Sequence, residues 1–204
     1  MMGPRHSDSG AGLHAAARTI TEDTTSMLTQ RPALDVISHS PEQTRWLGSR
    51  LGRLARPGDV ILLTGIIGSG KTTLVQGIAR GLGVTGYVQS PTFTLVHEHP
   101  GRTADGRPVT LYHLDLYRLE GDEELITVGY EDYFADPAGI TVVEWPERLS
   151  AELPEEYLLV NLEYIADAKR RLALYPRGER YEALVEAFRV EVFGARRGPA
   201  ASGH

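Results

Sequence analysis

The 204-residue chain contains no cysteine. That absence excludes disulfide scaffolds, thiolate zinc sites and cysteine nucleophiles. Lysine is almost as scarce, since 19 of the 21 basic residues are arginine and only Lys71 and Lys169 are lysines. The arginine excess reads as a coding bias rather than a functional signature, and it makes the placement of Lys71 informative. No apolar run approaches the roughly 20 residues of a membrane span. The N-terminus lacks the uninterrupted apolar stretch of a signal peptide, so no membrane association is expected and a cytoplasmic protein is the default. Excess positive charge is also missing. With a net charge of -6, an electrostatic grip on nucleic acid by the whole body is not expected, although a local basic patch stays open. What remains is 41% hydrophobic and 24% charged residues, the composition of a soluble globular protein with a real core.

Residues 1–33 are rich in Gly, Ser, Thr, Ala and His without a sustained apolar period, and are expected to form a disordered tail. Residues 194–204 read the same way, which leaves one domain over 34–193. Within it, strand and helix signals alternate. "ALDVIS" is a short strand. Ser40-Pro41 then opens a helix to about Ala55, with Ser40 as cap and Gln43 placed to complete a capping box. "GDVILLTG" is a continuous apolar run ending in Gly65, as a buried parallel strand requires. A helix from about Lys71 to Gly81 follows, with Leu74, Ile78 and Leu82 on one face. "TFTLVHEH", "VTLYHLDLYRL" and "GITVVEW" are strand candidates, and "DEELITVGYEDYF" reads as short helices. "EYLLVNLEY" and "RRLALYPRG" form a C-terminal antiparallel pair, followed by a helix over about Glu179 to Val192. The interleaving predicts an α/β fold with a mainly parallel sheet flanked by helices.

One local motif carries chemistry. "GIIGSGKT" satisfies G-x-x-x-x-G-K-[ST] through Gly65, Gly70, Lys71 and Thr72. From the residue frequencies, about 0.003 accidental matches are expected in a chain of this composition. The motif also follows a strand and opens a helix, the context the pattern needs. Gly68 and Gly70 let the backbone turn so that successive N–H groups point at an anion, and the following helix adds free N–H groups and its dipole. Lys71 supplies a point charge for the outer phosphates, and Thr72 offers a hydroxyl to Mg²⁺. The fold expected is therefore P-loop NTPase-like.

Such a loop needs a carboxylate from a neighbouring strand end. Asp115 in "LYHLDLYRL" and Glu144 at the close of "GITVVEW" are both candidates. Ser90, Thr92 and Thr94 in "QSPTFTLV" place hydroxyls where a switch segment would lie. His97, His99 and His113 lack acidic or thiolate companions at ligand spacing and are read as surface or partly packed imidazoles. Arg118, Arg170 and Arg171 could reach phosphates or RNA, but as isolated arginines in an arginine-rich chain they read as solvated. Guanine-specific switches use an Asn-Lys-x-Asp clamp, but the sole Asn is Asn161, followed by Leu162, so adenine is the expected base.

The order "GxxGSGKTT", "SPTFTLV", "YHLDLYRL", "EDYF" and "VVEWPERL" resembles the TsaE family of bacterial tRNA threonylcarbamoyladenosine biosynthesis ATPases, over about Leu34 to Leu174. The resemblance implies ATP and Mg²⁺ as ligands. It assigns the nucleotide to Gly65, Ile67, Gly68, Ser69, Gly70, Lys71 and Thr72, and the metal to Thr72 and Glu144. It gives catalytic roles to Lys71, Asp115 and Glu144. It also places Thr92 at a switch-like position, Trp145 at a signature tryptophan, Thr44 near the adenine and Arg171 near the nucleotide. The implied partners are the TsaD and TsaB proteins, which place threonylcarbamoyl on N6 of adenosine 37 in tRNAs reading codons that start with A, leaving an indirect contact with tRNA open. ATP hydrolysis would reset that complex between turnovers. The chain departs from the family at Ile66, where aspartate is usual, and that bears on hydrolysis. Ser69 in place of the usual alanine should matter little. Two other readings remain: a small-molecule P-loop phosphotransferase, and a non-hydrolysing module for which the nucleotide is only a conformational ligand.

Overall fold

The computed structural model describes residues 20–91, 93–119, 129–149 and 153–194. The elements in chain order are α1 (Ile20–Leu28), β1 (Leu34–Ser38), α2 (Pro41–Leu54), β2 (Val60–Thr64), α3 (Lys71–Gly81), β3 (Val96–Arg102) and β4 (Pro108–Asp115). They continue with α4 (Tyr130–Ala135), β5 (Gly139–Glu144), a 3₁₀ turn (Pro146–Arg148), β6 (Tyr157–Ala166), β7 (Lys169–Arg177) and α5 (Glu179–Phe193).

The strands form one seven-stranded sheet in the order β1-β7-β6-β2-β5-β4-β3. Its centre, β4-β5-β2-β6, is parallel. β3 runs antiparallel on one edge, and β7 joins β6 and β1 by antiparallel pairing on the other. The central strands are buried on both faces, so they read as continuous apolar runs rather than alternating ones. One face packs Ile61, Leu63, Val142 and Leu162 against Leu47 and Leu51 of α2 and Leu74 and Ile78 of α3. The other packs Val60, Leu62, Val143, Leu159 and Tyr175 into a smaller core.

α2 starts where Ser40 accepts the Gln43 N–H at 3.1 Å, with Pro41 in the first turn. The Gln43 carboxamide oxygen reaches one residue further back than a capping box requires, accepting from the His39 N–H at 2.7 Å. α2 and α3 touch backbone to backbone. A Cβ at Gly52 would lie 2.2 Å from the Ile78 oxygen, and one at Gly77 would lie 2.2 Å from the Arg45 oxygen. α2 therefore braces the helix that carries Lys71 and Thr72.

Two expectations need correction. Residues 20–28, placed in the N-terminal tail, form α1, which lays Met27 and Leu28 on the smaller core. Two apolar side chains at one end of a short helix are too few to show a period, yet they suffice once a core is there to receive them. The strand expected from Thr92 begins only at Val96. The Pro91 carbonyl accepts from the N–H groups of Thr94 (3.0 Å) and Leu95 (2.8 Å), and Leu95 has φ 63°, so the segment turns before it extends. Residues 1–19 and 195–204 of the expected tails lie outside the described residues, as does 122–128 of the expected short helices.

Candidate functional site: a glycine loop over two strand ends

Strand register assembles the site. Leu63 pairs with Glu144 across β2 and β5, and Asp115 pairs with Glu144 across β4 and β5. The two carboxylates therefore end neighbouring strands beside the point where β2 runs into Gly65. Ile67, Gly68, Gly70, Lys71, Thr72, Ser90, Asp115, Glu144 and Trp145 are among the residues that line the resulting crevice of about 420 Å³.

The loop adopts the conformations its glycines allow. Gly68 and Gly70 have φ of 76° and 102°, in the left-handed region that other residues rarely occupy. Gly65 is required for a second reason, because a Cβ there would lie 2.2 Å from the Leu162 oxygen of β6. Ser69 is fully buried beneath the loop, and its hydroxyl has no hydrogen-bond partner among the described residues. Ile66 points its side chain to solvent at 66% exposure, while its carbonyl accepts from the Ser69 N–H and from Lys71.

Lys71 is buried, with Nζ donating to the carbonyls of Gly65 (2.6 Å) and Ile66 (3.1 Å). The ammonium also sits 3.7 Å from the centroid of the Trp145 ring, a cation–π contact. Burial pushes its pKa below the ordinary lysine value, against the opposing pull of Glu144, Glu147 and Asp115. Trp145 holds this position with φ 62°, unusual for a bulky residue, and its N–H donates to the Leu63 oxygen at 3.1 Å. Backbone strain of this kind concentrates at functional sites.

Beside Lys71, the Thr72 hydroxyl donates to Glu144 Oε2 at 3.1 Å. Oxygens in adjacent positions of an octahedral Mg²⁺ shell are about 3 Å apart, given bonds of 2.0–2.1 Å. The observed spacing fits such an ion, and the all-oxygen donor set fits its hardness. Asp115 is buried, accepting from the Ser90 hydroxyl on one oxygen and from the Tyr117 N–H (3.0 Å) on the other.

Two predicted residues are not in this crevice. Thr44 is buried in the first turn of α2, its hydroxyl 2.7 Å from that of Ser38 and 3.2 Å from the Ser40 oxygen. Arg171 pairs with Asp35 (2.6 Å) and Glu163 (3.1 Å). It lines a separate cleft of about 670 Å³ with Arg31 and Arg189. Thr92 lies outside the described residues.

Two residues read as peripheral turn out to be close to the loop. Arg170 donates through Nη2 to the Gly68 carbonyl at 3.1 Å and stacks over Tyr164, 4.6 Å from the ring centroid. Consecutive residues on a strand face opposite sides, so Arg170 meets the loop and Arg171 cannot. His113 is fully buried, with Nε2 2.9 Å from Glu144 Oε1. Its signal was present in "LYHLDL", where period two puts His113 on the same face as Asp115.

A glycine loop between a buried parallel strand and a helix, with a lysine, a hydroxyl and strand-end carboxylates behind it, defines a P-loop-type α/β protein. Comparison with known proteins takes this further. The family profile described as threonylcarbamoyl adenosine biosynthesis protein TsaE matches residues 38–172. The chain is 39% identical over 147 residues to the tRNA threonylcarbamoyladenosine biosynthesis protein TsaE of Bacillus subtilis (strain 168), covering 72% of this chain and 88% of that protein. It is 38% identical over 138 residues to the protein of the same name from Treponema pallidum (strain Nichols), covering 68% and 97%. The crystal structure of Bacillus subtilis YdiB superposes with a TM-score of 0.63 at 33% identity, covering 78% of this chain and 95% of that one. The chain belongs to the TsaE family of threonylcarbamoyl adenosine biosynthesis proteins.

Proposed function

We propose that the protein binds MgATP and hydrolyses it to ADP and phosphate, and that this turnover serves threonylcarbamoyladenosine formation in tRNA by acting on the TsaD–TsaB pair in the cytoplasm. The observation that carries the reading is the Thr72–Glu144 contact of 3.1 Å beneath a left-handed glycine loop. Backbone N–H groups from Ile67 to Thr72 and the N-terminus of α3 hold the phosphates. Lys71 exchanges the Gly65 and Ile66 carbonyls for phosphate oxygens and neutralises charge that develops there. Thr72 and Glu144 hold Mg²⁺, which when bound spreads the charge of the outer phosphates and orients them for in-line attack. Asp115, fixed by Ser90 and the Tyr117 N–H, orients the attacking water. The Trp145 face keeps the Lys71 ammonium at the floor of the site. Arg170, against the loop, takes the peripheral role expected of Arg171.

The test is phosphate release by the wild type and Lys71→Ala, each with and without TsaD–TsaB. Wild-type release that rises with the partners, and none in the variant, is expected. Equal release by both would sink the assignment. Release near the uncatalysed rate and indifferent to the partners would favour the non-hydrolysing module, which the exposed apolar side chain of Ile66 already supports by leaving no carboxylate at that position.

A further inference from the structure

We infer that His113 is a positioning residue for Glu144, holding its carboxylate in the plane that turns Oε2 toward Thr72. The inference rests on the reading of Thr72 and Glu144 as the metal pair. The Glu144 side chain is 3% exposed and the His113 side chain 0%, so water does not decide how the carboxylate is turned. Each Glu144 oxygen has one described side-chain partner: Oε1 has His113 Nε2 at 2.9 Å, and Oε2 has the Thr72 hydroxyl at 3.1 Å. Facing a carboxylate, Nε2 acts as the donor, which places the ring proton there.

Among the described residues, the His113 side chain makes only that bond. Nδ1 is buried without a hydrogen-bond partner among the described residues. A buried polar atom left unpaired is costly, and a Leu at this position would avoid the cost, as Leu111 and Val142 do around it. What the imidazole contributes here is therefore the Nε2 contact. The location agrees. His113 pairs with Val142 two residues below the Asp115–Glu144 register and so shares a strand face with Asp115, which sets the ring beneath the carboxylate and leaves the crevice side open. Partners of this kind, which touch the ligand group and not the metal, govern metal affinity about 10- to 100-fold.

The experiment uses the full chain with a non-hydrolysable ATP analogue and measures Mn²⁺ affinity by electron paramagnetic resonance. Analogue affinity in EDTA is measured in parallel. His113→Phe fills the site without the donor and should weaken Mn²⁺ about tenfold while leaving the EDTA affinity unchanged. His113→Gln, whose amide nitrogen reaches the Nε2 position, should restore most of the loss. Should the Phe variant not fold, His113→Asn, whose amide stops short of Oε1, should show the same loss. Wild-type Mn²⁺ affinity in the folded variant without the donor, an equal loss in EDTA, or the same loss repeated in a Glu144→Gln background would each overturn the inference. Glu144→Gln alone separates the two readings. If it keeps wild-type Mn²⁺ affinity, the metal assignment fails. If it loses affinity while His113→Phe does not, only the role of His113 fails.

Discussion

Among the described residues, the hollow around Arg171 is larger than the one around Lys71, yet its guanidinium is the more fully matched by carboxylates. The cleft around Arg171 measures about 670 Å³, against about 420 Å³ for the crevice around Lys71. Arg171 is bracketed by Asp35 and Glu163, and their hydrogen bonds raise its pKa further. A guanidinium already matched by two carboxylates offers little to an added anion. Lys71 has instead two carbonyls and an indole face, and burial pushes its pKa down. Its charge is only partly compensated, the condition under which a phosphate gains most by arriving. What separates the hollows is the balance of charge inside them rather than their volume.

The largest expected effect breaks the comparison if it fails. Lys71→Ala should weaken ATP affinity roughly 100-fold, the value of a lost charge-assisted contact, while Arg171→Ala should leave it within about twofold. Calorimetric titration of both variants decides, and equal losses would make the Arg171 cleft part of the nucleotide site. Next comes pH. Folded Lys71 binds its proton less tightly than the unfolded chain does, so the unfolded state holds more protons between the lowered value and 10.5. Stability of the free protein should therefore rise with pH through that window, and ATP affinity should fall as the ammonium is lost. Lys71→Met should flatten both trends in denaturation and binding series. Third, Arg171→Ala should lower the denaturation stability by about 1 kcal/mol. The modest figure follows from solvent screening, since the Arg171, Asp35 and Glu163 side chains are 32%, 44% and 44% exposed. The smallest effect is at Ser69, whose buried hydroxyl has no partner among the described residues. Ser69→Ala should leave ATP affinity unchanged and stability equal or up to about 1 kcal/mol higher; a clear loss would reveal a contact for that hydroxyl.

The glycine loop was legible because it is local. Its glycines, lysine and threonine are contiguous, and the conformation they adopt depends mainly on their own backbone limits and on the strand and helix that flank them. Asp115 and Glu144 were legible as strand ends, because an apolar run that closes in a carboxylate marks a buried strand meeting solvent. His113 was misjudged because burial of an imidazole depends on which strand lies alongside, and the pairing of β4 with β5 is not written in either segment. Which of Arg170 and Arg171 meets the loop was not legible because adjacent residues on a strand differ only in facing, and facing is set by the register of β7 against β6 and β1. α1 escaped notice because its two apolar contacts acquire meaning only from the core they cover.

The sequence by itself thus determined the loop, the α/β order and the family, all properties of short segments read in their own frame. Tertiary structure alone decided which arginine meets the loop and what stands behind Glu144. Those depend on strand register, where a shift of one residue turns every side chain to the opposite face.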